Sequence, residues 1–226
     1  MRTIRWRASR GGVMLAVAAL VAGSGLLATT AFSATSAAQT PGCAPDTTVQ
    51  TTNGPVCGIV DNGVSEWLGI PFAAPPVGDL RWAPPQAPQP WTSTLQATDF
   101  GSQCIQSSGA GSEDCLYLNV WRPQSAGGNL PVLVHIHGGG FRAGSGARDS
   151  GSLLASTGNE VVVSMNYRLG IFGFLANSAF GPHSGDYGLQ DQQAALRWVQ
   201  QNIAAFGGDP HNVTIFGESA GGSSVC

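Results

Sequence analysis

Val213-Thr214-Ile215-Phe216-Gly217-Glu218-Ser219-Ala220-Gly221 reads as a short apolar strand running into a G-x-S-x-G turn. That arrangement presents a serine hydroxyl as a nucleophile at the end of a sheet, provided a strand precedes the turn and a helix follows it. Valine, isoleucine and phenylalanine favour the extended chain, and Gly207-Gly208-Asp209-Pro210 marks a turn before them. The glycines flanking Ser219 let the backbone reverse sharply and let strand and helix come close. Ala220 opens the helix, so its N–H points towards a reacting group. A G-x-S-x-G match alone is weak, because small residues around a serine are common; the strand before it gives it weight. A nucleophilic serine needs a histidine base and an acid to orient that base. In chains with this elbow both follow the serine. Only Ala220-Gly221-Gly222-Ser223-Ser224-Val225-Cys226 follows here, so the expectation is a domain truncated after the elbow, its acid and histidine beyond residue 226.

Working outward, residues 131–136 and 161–165 are short apolar runs of the kind a parallel sheet buries on both faces. Residues 116–121 predict another strand, closed by Pro123. Leu189, Ala194, Ala195, Leu196, Val199 and Ile203 form a helical stripe over 189–203, and glycines at 207 and 208 end it. Residues 57–60 and 64–68 flank Asp61-Asn62-Gly63, which predicts an antiparallel hairpin. The prolines of 71–90 exclude regular structure there, 39–55 read as an arm, and 124–129 as a loop. Strands alternating with helical crossovers predict the α/β class, a mostly parallel central sheet with helices on both faces. No repeat and no domain boundary is visible within 39–226.

Residues 1–38 begin with Arg2, Arg5, Arg7 and Arg10 and no acid, continue with an unbroken apolar run over 13–22, and end in small residues. A basic start, a short apolar core and a small-residue exit predict a secretory signal peptide. The core is too short to span a bilayer comfortably, which argues against a retained anchor. Ser36-Ala37-Ala38 has the small-x-small form, predicting cleavage after Ala38, with Ala31 as the alternative. No arginine pair is present, so the general export route is expected and the protein is read as secreted. Without residues 1–38 the chain keeps six arginines and no lysine against thirteen acids, a formal charge of −7 over 188 residues. That balance leaves no basic patch for nucleic acid or an anionic membrane. Five cysteines in an exported chain point to disulfides. Nearest-neighbour pairing gives Cys43–Cys57 and Cys104–Cys115, each contributing on the order of 3 kcal/mol by loop entropy, and leaves Cys226 single. The alternative for any one of them is a buried free thiol. No C-x-x-C occurs, and neither a metal nor a cofactor is expected.

A second chemical motif, His135-Ile136-His137-Gly138-Gly139-Gly140-Phe141, follows directly on an apolar strand. Acyl transfer builds negative charge on a carbonyl oxygen, and one preorganised N–H donor is worth roughly a hundredfold or more in rate. Consecutive glycines bring a backbone up to a ligand with no side chain in the way. A loop of this type partners a G-x-S-x-G serine in lipases and esterases, so the pair is far more specific than either motif alone.

Taken together the segments resemble the type-B carboxylesterases, the cholinesterase-like branch of the α/β-hydrolases. The match rests on Gly69-Ile70-Pro71-Phe72-Ala73 with Pro75-Pro76 and Leu80-Arg81-Trp82, on Glu113-Asp114-Cys115-Leu116-Tyr117-Leu118-Asn119-Val120-Trp121, on the glycine loop, on Asn166-Tyr167-Arg168-Leu169-Gly170, and on Phe206-Gly207-Gly208-Asp209-Pro210 leading into the elbow. It covers about residues 54–226 in family order. The resemblance implies hydrolysis of small-molecule carboxylic esters through an acyl-serine on Ser219, with oxyanion N–H groups from Gly139, Gly140 and Ala220. It also implies a Cys104–Cys115 bridge and structural ion pairs Arg81–Glu113 and Arg168–Asp191 that fix loops around the gorge. In cholinesterases the loop closed by that bridge is long and carries a tryptophan that stacks on choline. Here ten residues separate Cys104 from Cys115 and none is aromatic, which disfavours a choline ester.

Other polar residues are expected to play smaller parts. His135 and His137 alternate along the strand and read as hydrogen-bonding support for the loop, since an H-x-H metal site lacks further ligands. His183 and His211 lie in turns, and none of the four histidines fits the chain order. Glu218 resembles the buried elbow glutamate of the family. Asn212-Val213-Thr214 matches a glycosylation sequon but reads as a strand entry. A noncatalytic adhesion or binding member of the same fold is the alternative function; Ser219 and the glycine loop together favour an enzyme, because a binding module has no use for an oxyanion site. Residues 39–226 alone are expected to be inactive, for want of a base.

Overall fold

The computed structural model of the protein describes residues 42–226 except Asp149, Pro182 and His183. The expected leader at 1–38, with its cleavage points, and His183 lie outside the described residues. Where an arm was expected, β1 (Val49–Gln50) and β2 (Pro55–Cys57) pair antiparallel, and β2 pairs in parallel with the later β5 (Leu95–Gln96). Cys43–Cys57 fastens the start of this small sheet.

β3 (Ile59–Asp61) and β4 (Val64–Pro71) form the expected hairpin. Asn62 and Gly63 take φ of 46° and 78°, the left-handed pair that matches strand twist in a two-residue turn. β4 continues to Pro71, shifting register between Trp67 and Ile70 at the left-handed Gly69, whose N–H is held by Asn119 Oδ1 at 2.9 Å. β6 (Tyr117–Pro123), β7 (Leu130–Ile136), β8 (Val161–Met165) and β9 (Gly208–Gly217) complete a six-stranded sheet in the order β3-β4-β6-β8-β7-β9.

The described sheet is more mixed than expected. β7 pairs in parallel with β8 and β9, while β3–β4, β4–β6 and β6–β8 are antiparallel. A parallel return needs a crossover of a dozen residues or more. In this sheet two connections make such a return: 137–160, which carries α1 (Ser152–Gly158), and 166–207, which carries α2 (Gly170–Phe174) and α3 (Tyr187–Asn202). The parallel part of the sheet is therefore the part that carries the two motifs.

Helices cover both faces. Ala195, Trp198 and Val199 of α3 pack with Val132, Val134, Val161 and Val163 in the main core. On the other face Ala155 of α1 packs with Val64, Leu68, Trp121 and Val162. β8 is buried at every position, which explains its uninterrupted apolar run. β9 is the last strand in the order and only half buried, and α4 (Ala220–Val225) leaves its end. Among the described residues no helix is long and apolar enough to cross a membrane.

Candidate active site

Ser219 sits between β9 and α4 with φ 55° and ψ −118°, a conformation that costs a residue with a Cβ on the order of 1–3 kcal/mol. Its neighbours explain how the turn is held. A Cβ on Gly217 would come within 2.5 Å of the Ile136 carbonyl oxygen and 2.7 Å of Gly221, and a Cβ on Gly221 would overlap that same Ile136 oxygen. The elbow is thus pressed against the end of β7, where the glycine loop begins. Gly138 has equally little room: a Cβ there would strike the Glu218 carboxylate and lie 2.7 Å from the Glu218 carbonyl oxygen. Two motifs eighty residues apart are in direct contact.

The loop turns through left-handed residues, with φ of 104° at Gly139, 62° at Gly140 and 58° at Phe141. The Gly139 carbonyl accepts from the N–H groups of Arg142 and Ala143, both at 3.1 Å. The N–H groups of Gly139, Gly140 and Ala220 donate no hydrogen bond among the described residues. Ala220 is buried as a residue, and a backbone donor without a protein partner in such a place is one that a ligand's oxygen can use.

His137 is 2 % exposed and stacks on Tyr167 at 4.3 Å between ring centroids. Its Nδ1 lies 2.8 Å from the Gly138 carbonyl oxygen, which makes Nδ1 the protonated nitrogen. Burial pushes its pKa down to about 4, against the smaller upward pull of that carbonyl. The Tyr167 hydroxyl donates to the His137 carbonyl at 2.6 Å, and burial raises its own pKa. His135 is half buried, its ring 5.0 Å from that of Phe216. His211 is exposed near the start of β9, and Asn212 is exposed within it. Among the described residues no side chain hydrogen-bonds the Ser219 hydroxyl. Glu218 is exposed among the described residues, not buried as the family likeness suggested, and its carboxylate lies against Gly138.

Arg81 and Glu113 pair through two hydrogen bonds, at 2.5 and 2.6 Å, with Arg81 Cζ 5.7 Å from the Trp82 ring. Arg168 and Asp191 are buried together: Nε and Nη2 of the guanidinium each reach a carboxylate oxygen at 2.8 Å, and the Arg168 N–H adds a third bond at 3.0 Å. Burial pushes the Asp191 pKa up while the arginine draws it back. Cys104–Cys115 is bridged, and Cys226 is a free, exposed thiol. A cavity of about 670 Å³ opens beside the loop, lined by Gly140, Phe141, Ile105, Leu169, Phe172 and Phe174 among others. Among the described residues no three metal-ligating side chains cluster.

Three residues near the loop had no role assigned from sequence. Tyr167 holds its start, Asn166 accepts from the Gly146 N–H at 2.8 Å, and the Gln106 side chain bonds Gly144. Asn166 and Tyr167 were visible only as part of a family string, and nothing in the local pattern distinguishes Gln106 from a surface glutamine.

Residues 45–226 match the Carboxylesterase family. The chain is 51% identical over 190 residues to the para-nitrobenzyl esterase of Bacillus subtilis (strain 168), covering 78% of this chain and 39% of that one. It is 53% identical over 182 residues to the fumonisin B1 esterase of Sphingopyxis macrogoltabida, with 74% and 34% covered. Among solved structures it is similar to a thermophilic pNB esterase, with a TM-score of 0.76, 50% identity, and 79% of this chain and 40% of that one covered. A carboxylesterase of Geobacillus stearothermophilus gives a TM-score of 0.75 at 49% identity, with 79% and 40% covered. The chain spans between a third and two fifths of the length of these relatives, and what it shares with them is the α/β-hydrolase fold. With a family match over most of its length and half of the aligned positions identical, the chain belongs to the carboxylesterase family.

Proposed function

We propose that the whole protein hydrolyses small-molecule carboxylic esters, with Ser219 as nucleophile and the N–H groups of Gly139, Gly140 and Ala220 as oxyanion donors. The observation that carries this reading is the contact between elbow and glycine loop, with Ser219 in a strained turn and those three donors unused in the two touching segments. Ser219 Oγ attacks the ester carbonyl carbon and gives its proton to a histidine. The new oxyanion takes the free donors. The C–O bond to the alcohol breaks, the histidine returns the proton to the departing alkoxide, and an acyl-serine remains. Water then attacks that acyl group by the same route and releases the carboxylic acid. No histidine among the described residues bonds Ser219, and the fold's chain order puts acid and histidine after it. We assign both to chain beyond residue 226, so residues 39–226 alone have no base and no turnover.

Export through the general secretory route, with cleavage after Ala38, is part of the same proposal. The basic start and short apolar core of 1–38 support it, as do two disulfides of the kind an oxidising compartment allows. N-terminal sequencing of the exported protein is expected to begin at Gln39.

The test of catalysis is Ser219→Ala in the full-length protein, assayed on a short-chain aryl ester. Turnover is expected to fall by a factor of a thousand or more with the melting profile intact. Equal turnover in the variant removes Ser219 from the mechanism, and a folded wild-type protein without turnover favours a noncatalytic binding member of the fold.

A further inference from the structure

The three donors act together only if the glycine loop keeps its shape, and the structure shows an external clamp on it. The Gln106 side chain approaches Gly144 as a strand would. Its Oε1 accepts from the Gly144 N–H at 2.7 Å, and its Nε2 donates to the Gly144 carbonyl at 3.0 Å and to the Cys104 carbonyl at 2.7 Å. Reversing the amide would set N–H against N–H and oxygen against oxygen, so these contacts decide its orientation.

Gly144 has no freedom on its other side. Its φ is +109°, and a Cβ there would strike His137 Nδ1. His137 is in turn fixed by the Gly138 carbonyl and by Tyr167. The Ser107 N–H adds a bond to the Arg142 carbonyl at 2.8 Å, and the Arg142 and Ala143 N–H groups close the turn on the Gly139 carbonyl. Hydrogen bonds and the short stretch of backbone between them therefore link Gln106 to Gly139. Gln106 itself cannot drift. It lies two residues past Cys104 in the bridged segment, where its N–H meets the Ala110 carbonyl at 2.7 Å and its carbonyl takes the Gly109 N–H at 2.9 Å. The segment is short and crossed by its own turns, so it serves as a rigid mount.

We infer that Gln106 is a positioning residue for the oxyanion donors: it holds the disulfide segment against Gly144 and so fixes where the Gly139 and Gly140 N–H groups point. This inference rests on the catalytic reading above. Removing the amide leaves both polar groups of Gly144 without that partner and frees one end of the turn. Small misplacements of catalytic donors are expensive in rate, because their value lies in prior alignment with the transition state.

The experiment compares wild type, Gln106→Ala, Gln106→Glu and Ser219→Ala in the full-length enzyme. For a short-chain aryl ester, Gln106→Ala is expected to lower kcat about tenfold with KM changed less than threefold. Inhibition by an aryl trifluoromethyl ketone, whose serine adduct carries the oxyanion, weakens in proportion. Hydrogen exchange of peptide 138–146 becomes faster. In Gln106→Glu the ionised carboxylate loses the donor, whereas the protonated acid regains it. Its activity relative to wild type therefore recovers several-fold as the pH is lowered towards 5, a signature that also serves if the alanine variant folds poorly. Gln106→Ala with kcat and ketone inhibition within twofold of wild type, while Ser219→Ala is dead, overturns the inference. If wild type shows no Ser219-dependent turnover, the catalytic reading fails. The exchange data then decide alone: faster exchange supports the clamp, and unchanged exchange refutes it.

Discussion

His137 lies at the hinge between strand and glycine loop, and its titration links the site to acid stability. Its pKa is about 4 in the folded chain against about 6.5 for an unburied imidazole. Between these values the unfolded chain binds the proton and the folded chain does not. Stability from this residue is therefore complete above about pH 6.5 and declines as the pH falls through the window, by at most about 3 kcal/mol. His137→Asn keeps a donor near Nδ1 and removes the titration. Melting temperature plotted from pH 7 to pH 4 is expected to fall less steeply in that variant than in wild type. Gly221 makes a second prediction at this scale. With the Ile136 oxygen where its Cβ would stand, Gly221→Ala must push α4 off β7, costing about 2 kcal/mol or more. Active-site titration with an organophosphate is expected to show a loss of reactive Ser219 beyond the loss of folded protein. The residues proposed here for chemistry could be picked out in the sequence because each sits in a string whose spacing is dictated by backbone geometry. The residues that hold them could not. Gln106 and Asn166 act through contacts made across 38 and 20 residues of chain, and no local pattern encodes such a meeting.

Elements were legible in proportion to how far local pattern alone determines them. The 161–165 strand came out at the limits read from its apolar run, since a fully buried strand writes its length directly in the sequence. The helix read as 189–203 begins earlier, at Tyr187, and finishes as a short 3-10 turn, Ile203–Phe206. β9 reaches back to Gly208, through residues read as a turn, because Gly208 pairs with Leu130 of β7; pairing with a distant strand overrode turn chemistry. α1 and α2 were not read at all, being too short to show a period. Arg168 and Asp191 join the end of β8 to α3 with both charges buried. Asp191→Ala strands a guanidinium in the interior and is expected to cost about 3–5 kcal/mol, whereas replacing both residues with apolar side chains of similar size costs much less. Urea midpoints of the single and double variants check this. Opening the Cys104–Cys115 segment by replacing both cysteines with serine is expected to cost about 3 kcal/mol by loop entropy. It should also lower kcat, because the same segment carries Gln106; melts and initial rates measured together check both effects.

For the molecule as a whole, the position of β9 is decisive. In the described sheet it is an edge strand, with Val213, Ile215 and Phe216 only half buried and Thr214 exposed. A long strand with apolar residues and one unpaired side invites pairing with another chain. Residues 39–226 expressed alone are therefore expected to aggregate and to show no ester turnover; a soluble, cooperatively melting, active product would contradict both statements. The strained turn at Ser219 bears on the same global balance. Glycine accepts φ 55° and ψ −118° without the penalty that a Cβ imposes. Ser219→Gly is thus expected to melt higher than Ser219→Ala, and higher than the wild-type protein itself if the hydroxyl makes no offsetting bond. A scan for thermostability that ignored turnover would select that glycine. On the proposed reading, selection for robustness alone would drive this position towards glycine, and a serine kept here at the cost of strain is one kept for its hydroxyl.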